Sequence, residues 1–506
     1  MNIKEAKQQI KNAIISYSTK DEYGHMIIPV NKQRPIFLVG APGIGKTAIM
    51  EQIAKELDIA LVSYSMTHHT RQSALGLPFI VDKNYGGVDY KVSEYTMSEI
   101  IASIYDTMEK TKKDSGILFL DEINCISETL APSMLQFLQY KTFGRHQVPE
   151  GWIVVTAGNP PEYNNSVKEF DIAMWDRLKK IEVEADYETW KEYAINTNIH
   201  PVVTSYLNIK PSHFYTISST VDGKNFVTAR GWDDLSQMII LYETNQIEVD
   251  YNLISQYLQD DKIAKDFSHY YQLFHKYQAD YKVDTILDGT SSVSIKERAS
   301  KAKFDERLSL ISLIMSQLDE TISQVVKVED AFKPLMSIIK TIPANQLSKE
   351  DYIKNLTDKI EELKTELAQK EIGNTLSKAY EITVYQVIAL INRIIEVLRV
   401  NVEEDTTVLV KSMLQEELSK LKQLDHEAQT ALEHCFEFFE EVFDEGQEML
   451  ILVTEMTINE TISQYIYTHG CAKYYEHNHQ LLFEDKQNEL LEKIDAINLL
   501  DFDTYK

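Results

Sequence analysis

The sequence predicts an α/β fold in which a parallel sheet is flanked by helices, followed by a mostly α-helical C-terminal region. Two observations support this prediction. Short apolar runs alternate with helical stretches in the first half of the chain. In addition, 13 of the 17 glycines and 10 of the 12 prolines lie before residue 250. Because both residues break helices, a second half that is poor in them is expected to form long helices.

The apolar runs of the first half predict the strands of the sheet. Each run is continuous rather than alternating, which is typical of strands that helices cover on both faces. Alternation of such strands with helices indicates a parallel sheet. The predicted strands contain residues 35–39, 59–62, 117–120 and 152–155.

Two further segments depart from this alternation. Residues 76–95 contain Gly86 and Gly87 between two short apolar stretches, which predicts a β-hairpin inserted into the core. In the second half, apolar residues recur at spacings of three and four, with Lys and Glu between them. Two heptads are too short for an independent coiled coil, so we expect a helical hairpin near residues 345–400.

The charge of the chain restricts its partners and its compartment. The sequence has 51 Lys and Arg against 78 Asp and Glu, a net charge of −27. Such a surface repels phosphates, so a nucleic-acid partner is disfavoured and no membrane partner is expected. The three cysteines have no paired spacing, which is typical of a reducing compartment. With a charged N-terminus and no apolar stretch of about 18 residues, the sequence predicts a cytoplasmic protein.

A glycine-rich motif follows the first predicted strand and satisfies the pattern G-x-x-x-x-G-K-[ST]. Its glycines would let backbone N–H groups turn inward around a polyphosphate, and the following helix would add its dipole. We expect Lys46 to contact the β- and γ-phosphates of ATP and the Thr47 hydroxyl to bind Mg²⁺. A glycine turn with a chance Lys-Thr is the alternative, which the strand and helix context disfavours. The predicted nucleotide-binding residues are Gly40, Ala41, Pro42, Gly43, Ile44, Gly45, Lys46 and Thr47.

Polar side chains end two later strands of the predicted sheet. Asp121 and Glu122 follow one apolar run, and Asn159 follows the next. Ligands of α/β folds bind at the carboxyl ends of the strands. We expect Asp121 to bind Mg²⁺, Glu122 to act as general base on the attacking water, and Asn159 to orient that water. Alone, an Asp-Glu pair is more often a helix cap and an Asn before Pro a turn former, but their order behind Lys46 favours catalysis.

These motifs resemble those of the AAA+ ATPases, and more closely those of the MoxR-like branch, over about residues 1–245. On this resemblance, residues 40–47 are the Walker A motif, residues 118–122 the Walker B motif and Asn159 sensor 1. The hairpin near residues 76–95 is similar to the helix-2 insert of that branch.

The same resemblance implies the domain organisation. Residues 1–185 would form an AAA+ P-loop NTPase core, and residues 186–245 a helical lid. Residues 246–506, which resemble no known functional module, are expected to form an acidic α-helical domain.

Two arginines gain roles from the resemblance alone. Arg177 matches the arginine finger that contacts the γ-phosphate in a neighbouring subunit, although Leu178 stands where phenylalanine is usual. A surface ion pair with Asp171 or Asp176 is the alternative. Arg230 matches sensor 2 at the start of a lid helix, with Ala229 in place of the usual proline.

The resemblance implies an ATPase that forms a ring, a hexamer in the family, and remodels, assembles or activates a partner protein. In the MoxR-like branch such chaperone-like partners often carry a von Willebrand A domain. Two alternatives stay open, a nucleic-acid motor or loader and a nucleotide-dependent switch. The charge disfavours the first, and the presence of Glu122 and Asn159 disfavours the second. The absence of an Asn-Lys-x-Asp signature in the α/β half favours ATP over GTP.

Three other features are weaker candidates. Arg145 lies in a glycine turn and is either a solvated residue or part of a subunit contact. Residues 68–71 follow the second strand, where a substrate-facing or inter-subunit loop would emerge. The spacing of His469, Cys471, His477 and His479 matches no common zinc site, so no metal is expected there.

Overall fold

The computed structural model describes the chain except for residues 69–71, 73, 75, 128, 164–166, 168, 169, 171, 198, 221, 222, 344, 346, 373–375, 402–404, 445 and 479–506. The chain forms two compact units. The first comprises Met1–Thr189, Thr228–Arg230 and Ile353–Ala389, and the second comprises Trp190–Val227, Gly231–Tyr352 and Leu390–Lys506.

The strands lie in the first half of the chain. In chain order they are β1 (Ile36–Gly40), β2 (Ala60–Ser65), β3 (Pro78–Tyr85), β4 (Val88–Tyr95), β5 (Gly116–Asp121), β6 (Thr142–Phe143), β7 (His146–Gln147), β8 (Trp152–Gly158), β9 (Lys179–Val183), β10 (Thr216–Thr220) and β11 (Gly223–Val227).

Five of these strands form the parallel sheet of the first unit, in the order β2-β5-β8-β1-β9. Strand β8 is buried along its whole length, and β5 is buried as far as Leu120. Their apolar side chains, among them Leu118 and Val154, pack into one core with helical residues such as Ile101 and Phe137. Burial on both faces explains why these strands are continuous apolar runs in the sequence.

Helices flank this sheet. They are α1 (Ile3–Tyr17), α2 (Ala48–Glu56), α3 (Glu99–Thr111), α4 (Ala131–Tyr140) and α5 (Ile172–Trp175). Helix α1 begins with a capping box, in which the Asn2 side chain accepts from the backbone of Glu5 and the Glu5 carboxylate accepts from the backbone of Asn2. The sheet and its helices form a P-loop NTPase core, which confirms the predicted fold.

Strands β3 and β4 form an antiparallel hairpin that follows β2 in the chain. Gly86 and Gly87 form its turn with φ of 63° and 87°, a conformation that favours glycine at both positions. Most hairpin side chains are exposed, and Ile80 reaches 71% exposure. The remaining short strands pair as β6 with β7 and β10 with β11.

The second half of the chain is mostly helical, as predicted. Its longest described helices, Phe304–Thr341 and Thr406–Phe443, have 38 residues each. The helices after β9 are α6 (Tyr187–Asn196), α7 (Pro201–Ile209), α8 (Ala229–Thr244), α9 (Tyr251–Tyr257), α10 (Asp261–Tyr281), α11 (Val283–Leu287), α12 (Val293–Lys301), α13 (Phe304–Thr341), α14 (Lys349–Ile372), α15 (Lys378–Val400), α16 (Thr406–Phe443), α17 (Gln447–Ile458) and α18 (Glu460–His469).

Within this half, α14 and α15 follow each other closely in the chain near residues 345–400. Leu356, Ile360 and Leu367 of α14 are buried, as expected for residues on one apolar face of the helix. Among the helices that the structure describes, none is long and apolar enough to cross a lipid bilayer.

Candidate nucleotide site

The loop between β1 and α2 contains the predicted phosphate-binding residues. Gly43 and Gly45 have φ of 73° and 92°, which residues with a Cβ rarely adopt. A Cβ on Gly43 would also lie 2.9 Å from the Thr228 hydroxyl, and one on Gly40 would lie 2.6 Å from the Val183 carbonyl oxygen. Glycine is therefore required here by backbone conformation and by close packing.

Lys46 lies at the centre of the site, with its side chain buried. Its Nζ donates hydrogen bonds of 2.8 Å to the carbonyl oxygens of Gly40 and Ala41 and to Oδ1 of Asn159. Burial lowers the pKa of Lys46 to about 8, although the nearby Asp121 carboxylate partly opposes this shift. The structure thus brings Lys46 and Asn159 into direct contact.

Thr47 and Asp121 form a second contact of the site. The Thr47 hydroxyl donates to Oδ2 of Asp121 at 3.0 Å, and the backbone N–H of Glu122 donates to Oδ1 at 2.8 Å. A hydroxyl and a carboxylate oxygen at this separation are the kind of ligands that Mg²⁺ prefers. The donor set therefore fits a magnesium ion held by Thr47 and Asp121.

Glu122 is held by two residues that the sequence interpretation missed. Its Oε2 accepts hydrogen bonds from the Ser65 hydroxyl at 3.0 Å and from the Thr67 hydroxyl at 3.2 Å. Ser65 ends β2, and β2 lies beside β5 in the sheet. The signal in the sequence is that these hydroxyl residues lie three and five positions after the predicted strand at residues 59–62.

Asn124 is the other residue of the site that sequence reasoning missed. It lies in the 3₁₀ turn Ile123–Cys125, and its Nδ2 donates to the backbone oxygen of Asn159 at 2.8 Å. Asn159 is therefore contacted through its side chain by Lys46 and through its backbone by Asn124.

The two predicted arginines lie at different places. The backbone N–H of Arg230 donates to the Gly43 carbonyl at 3.1 Å, and its guanidinium is near enough to Lys46 to lower the pKa of that amine. Arg177 is exposed just after α5, and none of the described residues forms an ion pair with it. Its neighbour Asp176 lies 3.8 Å from Arg34, whereas Asp171 is outside the described residues.

Arg145 forms an ion pair with Glu94 of β4 at 2.7 Å while its side chain stays 62% exposed. It therefore links the turn between β6 and β7 to the β3–β4 hairpin. Of residues 68–71 in the loop after β2, His68 ends the 3₁₀ turn Met66–His68, and residues 69–71 lie outside the described residues.

Two of the C-terminal histidines lie close to carboxylates. His469 lies 3.0 Å from Asp425, His477 lies 3.2 Å from Glu440, and His479 is outside the described residues. In the part of the chain that the structure describes, no group of three His, Cys, Asp or Glu side chains could hold a metal ion.

The site lies within a segment that matches a known family. Residues 36–182 match the sequence model of the AAA family, described as ATPase family associated with various cellular activities. No curated protein matches the chain. The matched segment begins at β1 and ends in β9, so it contains the glycine loop, Asp121, Glu122, Asn159 and Arg177. The match supports a general ATP-binding AAA+ ATPase.

Proposed function

With the AAA match as premise, we propose that this chain is an ATP-hydrolysing AAA+ protein of the MoxR-like branch, which assembles into a ring and remodels a partner protein. The observation that carries the proposal is the convergence of Lys46, Thr47, Asp121, Glu122 and Asn159 at the carboxyl edge of the sheet. This is the edge at which α/β folds bind ligands.

The chemistry follows from the residues at that edge. Lys46 and the glycine loop would bind the phosphates, and Glu122 would accept a proton from the attacking water. Asn159 would orient that water beside Glu122. When bound to Thr47 and Asp121, Mg²⁺ would supply positive charge to the phosphate oxygens.

The ring and the arginines belong to the same proposal. The exposure of Arg177 supports a role in a neighbouring subunit's site, because an arginine finger must extend beyond its own subunit. Arg230 is the second residue of α8, and its backbone contacts the glycine loop, which supports a sensor 2 role in its own site or in a neighbour's.

The partner is proposed from the β3–β4 hairpin and from the resemblance. On one face of the hairpin tip, the side chains of Tyr85, Val88 and Tyr90 are 56%, 54% and 51% exposed. Exposed apolar clusters of this kind commonly mark protein interaction sites. A client protein, such as one with a von Willebrand A domain, is the partner that the MoxR-like resemblance implies.

The proposal is tested by ATP hydrolysis together with light scattering, with and without ATP·Mg²⁺. Lys46→Ala should lose nucleotide binding, whereas Glu122→Gln should bind ATP and stop turnover. Lys55→Ala, which removes an exposed lysine from α2, is the matched control and should behave as the parent. Unchanged hydrolysis by Glu122→Gln would refute the general base, and a parent that binds ATP without turnover or assembly would favour the nucleotide switch.

A further inference from the structure

We infer that Asn124 is a positioning residue that fixes Asn159 for catalysis. The role in catalysis rests on the proposed function, but the contact itself does not. Asn124 lies two residues after Glu122 and is only 6% exposed. Its Nδ2 donates to the Asn159 backbone oxygen at 2.8 Å, so the side chain holds the end of β8.

The packing around the amide of Asn124 is tight on one side. A Cβ on Gly158 would lie 2.3 Å from Oδ1 and 2.6 Å from Cγ of Asn124. The amide therefore fits only because residue 158 has no side chain. This contact fixes both the amide of Asn124 and the backbone that precedes Asn159.

The amide of Asn124 is poorly suited to stabilising the fold alone. Its Oδ1 is buried and has no hydrogen-bond partner among the described residues. A buried acceptor without a partner costs free energy, which an apolar side chain of similar size would not. Among the described residues, the one hydrogen bond that the amide donates is directed at Asn159, which indicates positioning rather than stabilisation.

The contact between Asn124 and Asn159 also links Glu122 and Asn159, the two residues that would act on the attacking water. The Asn159 side chain accepts from Lys46, and the Asn159 backbone accepts from Asn124. Because Asn124 and Glu122 belong to one short turn, that turn sets where the Asn159 amide lies relative to the carboxylate. Small misplacements of such groups reduce turnover strongly.

The first test uses two variants of Asn124. Asn124→Ala and the isosteric Asn124→Asp both remove the donated hydrogen bond, so each should lower kcat roughly tenfold while KM and the Kd for ATP change less than about threefold. The control is Thr156→Val in β8, the strand that precedes Asn159. This variant removes the buried hydrogen bond from the Thr156 hydroxyl to the Ile36 carbonyl and should keep the parental kcat. An unchanged kcat in both Asn124 variants, or an equal loss in Thr156→Val, would overturn the inference.

The second test is a double-mutant cycle with Gly158. Gly158→Ala places a methyl against the Asn124 amide, so it should lower kcat alone but add little to Asn124→Ala. If the fold losses in kcat of the two single variants multiplied in the double variant Gly158→Ala/Asn124→Ala, the inference would be overturned. The same cycle is measured on the free energy of unfolding, where Gly158→Ala should destabilise the parent more than it destabilises Asn124→Ala. A parent without ATPase activity would refute the proposed function, while this unfolding cycle would still test the contact.

Discussion

Glu122 has a φ of 56°, an uncommon value for a residue with a Cβ. Its conformation places the carboxylate within reach of two hydroxyl groups, those of Ser65 and Thr67. These hydroxyls also lie 2.9 Å from each other, so they form one small polar group at the end of β2. At the scale of single residues, the orientation of the Glu122 carboxylate, the proposed general base, is thus fixed by two hydroxyl groups at the end of the neighbouring strand β2.

We expect the double variant Ser65→Ala/Thr67→Val to lower ATP turnover by roughly tenfold, because Glu122 would lose the two hydrogen bonds that direct it. ATP affinity should stay close to that of the parent, since neither hydroxyl contacts the glycine loop or Lys46 among the described contacts. Steady-state kinetics and ATP titration measure the two effects. Ser63→Ala, at an exposed position of the same strand, is the control. Parental turnover in the double variant would contradict the positioning of Glu122.

Lys141 is a buried charge outside the nucleotide site. It is 1% exposed, and Oε1 of Gln33 at 3.3 Å is the one hydrogen-bond partner that the described residues offer its Nζ. Burial lowers the pKa of Lys141 to about 7. Between about pH 7 and the ordinary lysine pKa the unfolded chain binds more protons than the folded one, so this residue makes stability rise with pH.

Lys141→Met should therefore raise the free energy of unfolding by about 4 kcal/mol at pH 7, because the cost of burying the amine disappears. The gain should shrink as the pH rises toward 10, where the parent's lysine is already neutral in the folded state. Urea unfolding at several pH values measures the difference. Lys110→Met, an exposed position on α3, is the control, and a gain that does not depend on pH would contradict the assignment.

At the scale of elements, local sequence patterns predicted four of the five strands of the sheet, but neither β9 nor the short pairs outside the sheet. The continuous apolar runs gave β1, β2, β5 and β8 correctly. The pairs β6–β7 and β10–β11 were not predicted, because strands of two to five residues carry too little periodic signal. Helix α1 was also missed, although Asn2 and Glu5 form a capping box that could have indicated it.

The candidate site likewise contains residues that the sequence predicted and residues that it did not. Lys46, Thr47, Asp121 and Glu122 could be found because they follow strands in a recognisable motif. Ser65, Thr67 and Asn124 could not, because their contacts depend on β2 lying beside β5 and on β5 lying beside β8. Strand order is a property of the folded sheet, and the sequence of one strand does not indicate which strand will lie beside it.

The ion pair between Arg145 and Glu94 joins two hairpins, β6–β7 and β3–β4. Because Arg145 is largely exposed, water screens the pair, and Arg145→Ala should lower the free energy of unfolding by less than about 1 kcal/mol. We expect ATP hydrolysis to stay at the parental level across protein concentrations, since the arginine is paired within its own chain. Urea unfolding and hydrolysis assays test this, with Lys113→Ala, which removes the ion pair with the exposed Asp58, as a second variant. A loss of hydrolysis that depends on protein concentration would instead assign Arg145 to a contact between subunits.

At the scale of the whole molecule, composition predicted the helical second half, but not which of its helices pack together. In the second unit, α7 packs against α13, far along the chain, and Lys191 of α6 pairs with Glu455 of α17 at 3.0 Å. Glu455 also accepts a hydrogen bond from Asn208. Such pairings join segments that share no sequence motif, so they could only be seen in the folded chain.

The proposed ring can be tested only with assembled subunits. If each site combines Lys46 of one subunit with Arg177 of its neighbour, Lys46→Ala and Arg177→Ala should each hydrolyse ATP slowly, and Arg177→Ala should still bind it. In an equal mixture that assembles at random, one site in four has an intact Lys46 and an intact Arg177. Hydrolysis should therefore recover to about a quarter of the parental rate.

The control for this mixture is Lys46→Ala combined with the double variant Lys46→Ala/Arg177→Ala, which offers no complete site in any arrangement. Light scattering in ATP·Mg²⁺ must show that both mixtures assemble as the parent does, so that a missing recovery cannot come from missing rings. Recovery in the first mixture alone requires that the two residues act from different subunits, because neither variant can supply both. Co-assembly without recovery would place Arg177 outside a shared site and would return it to the role of a surface charge.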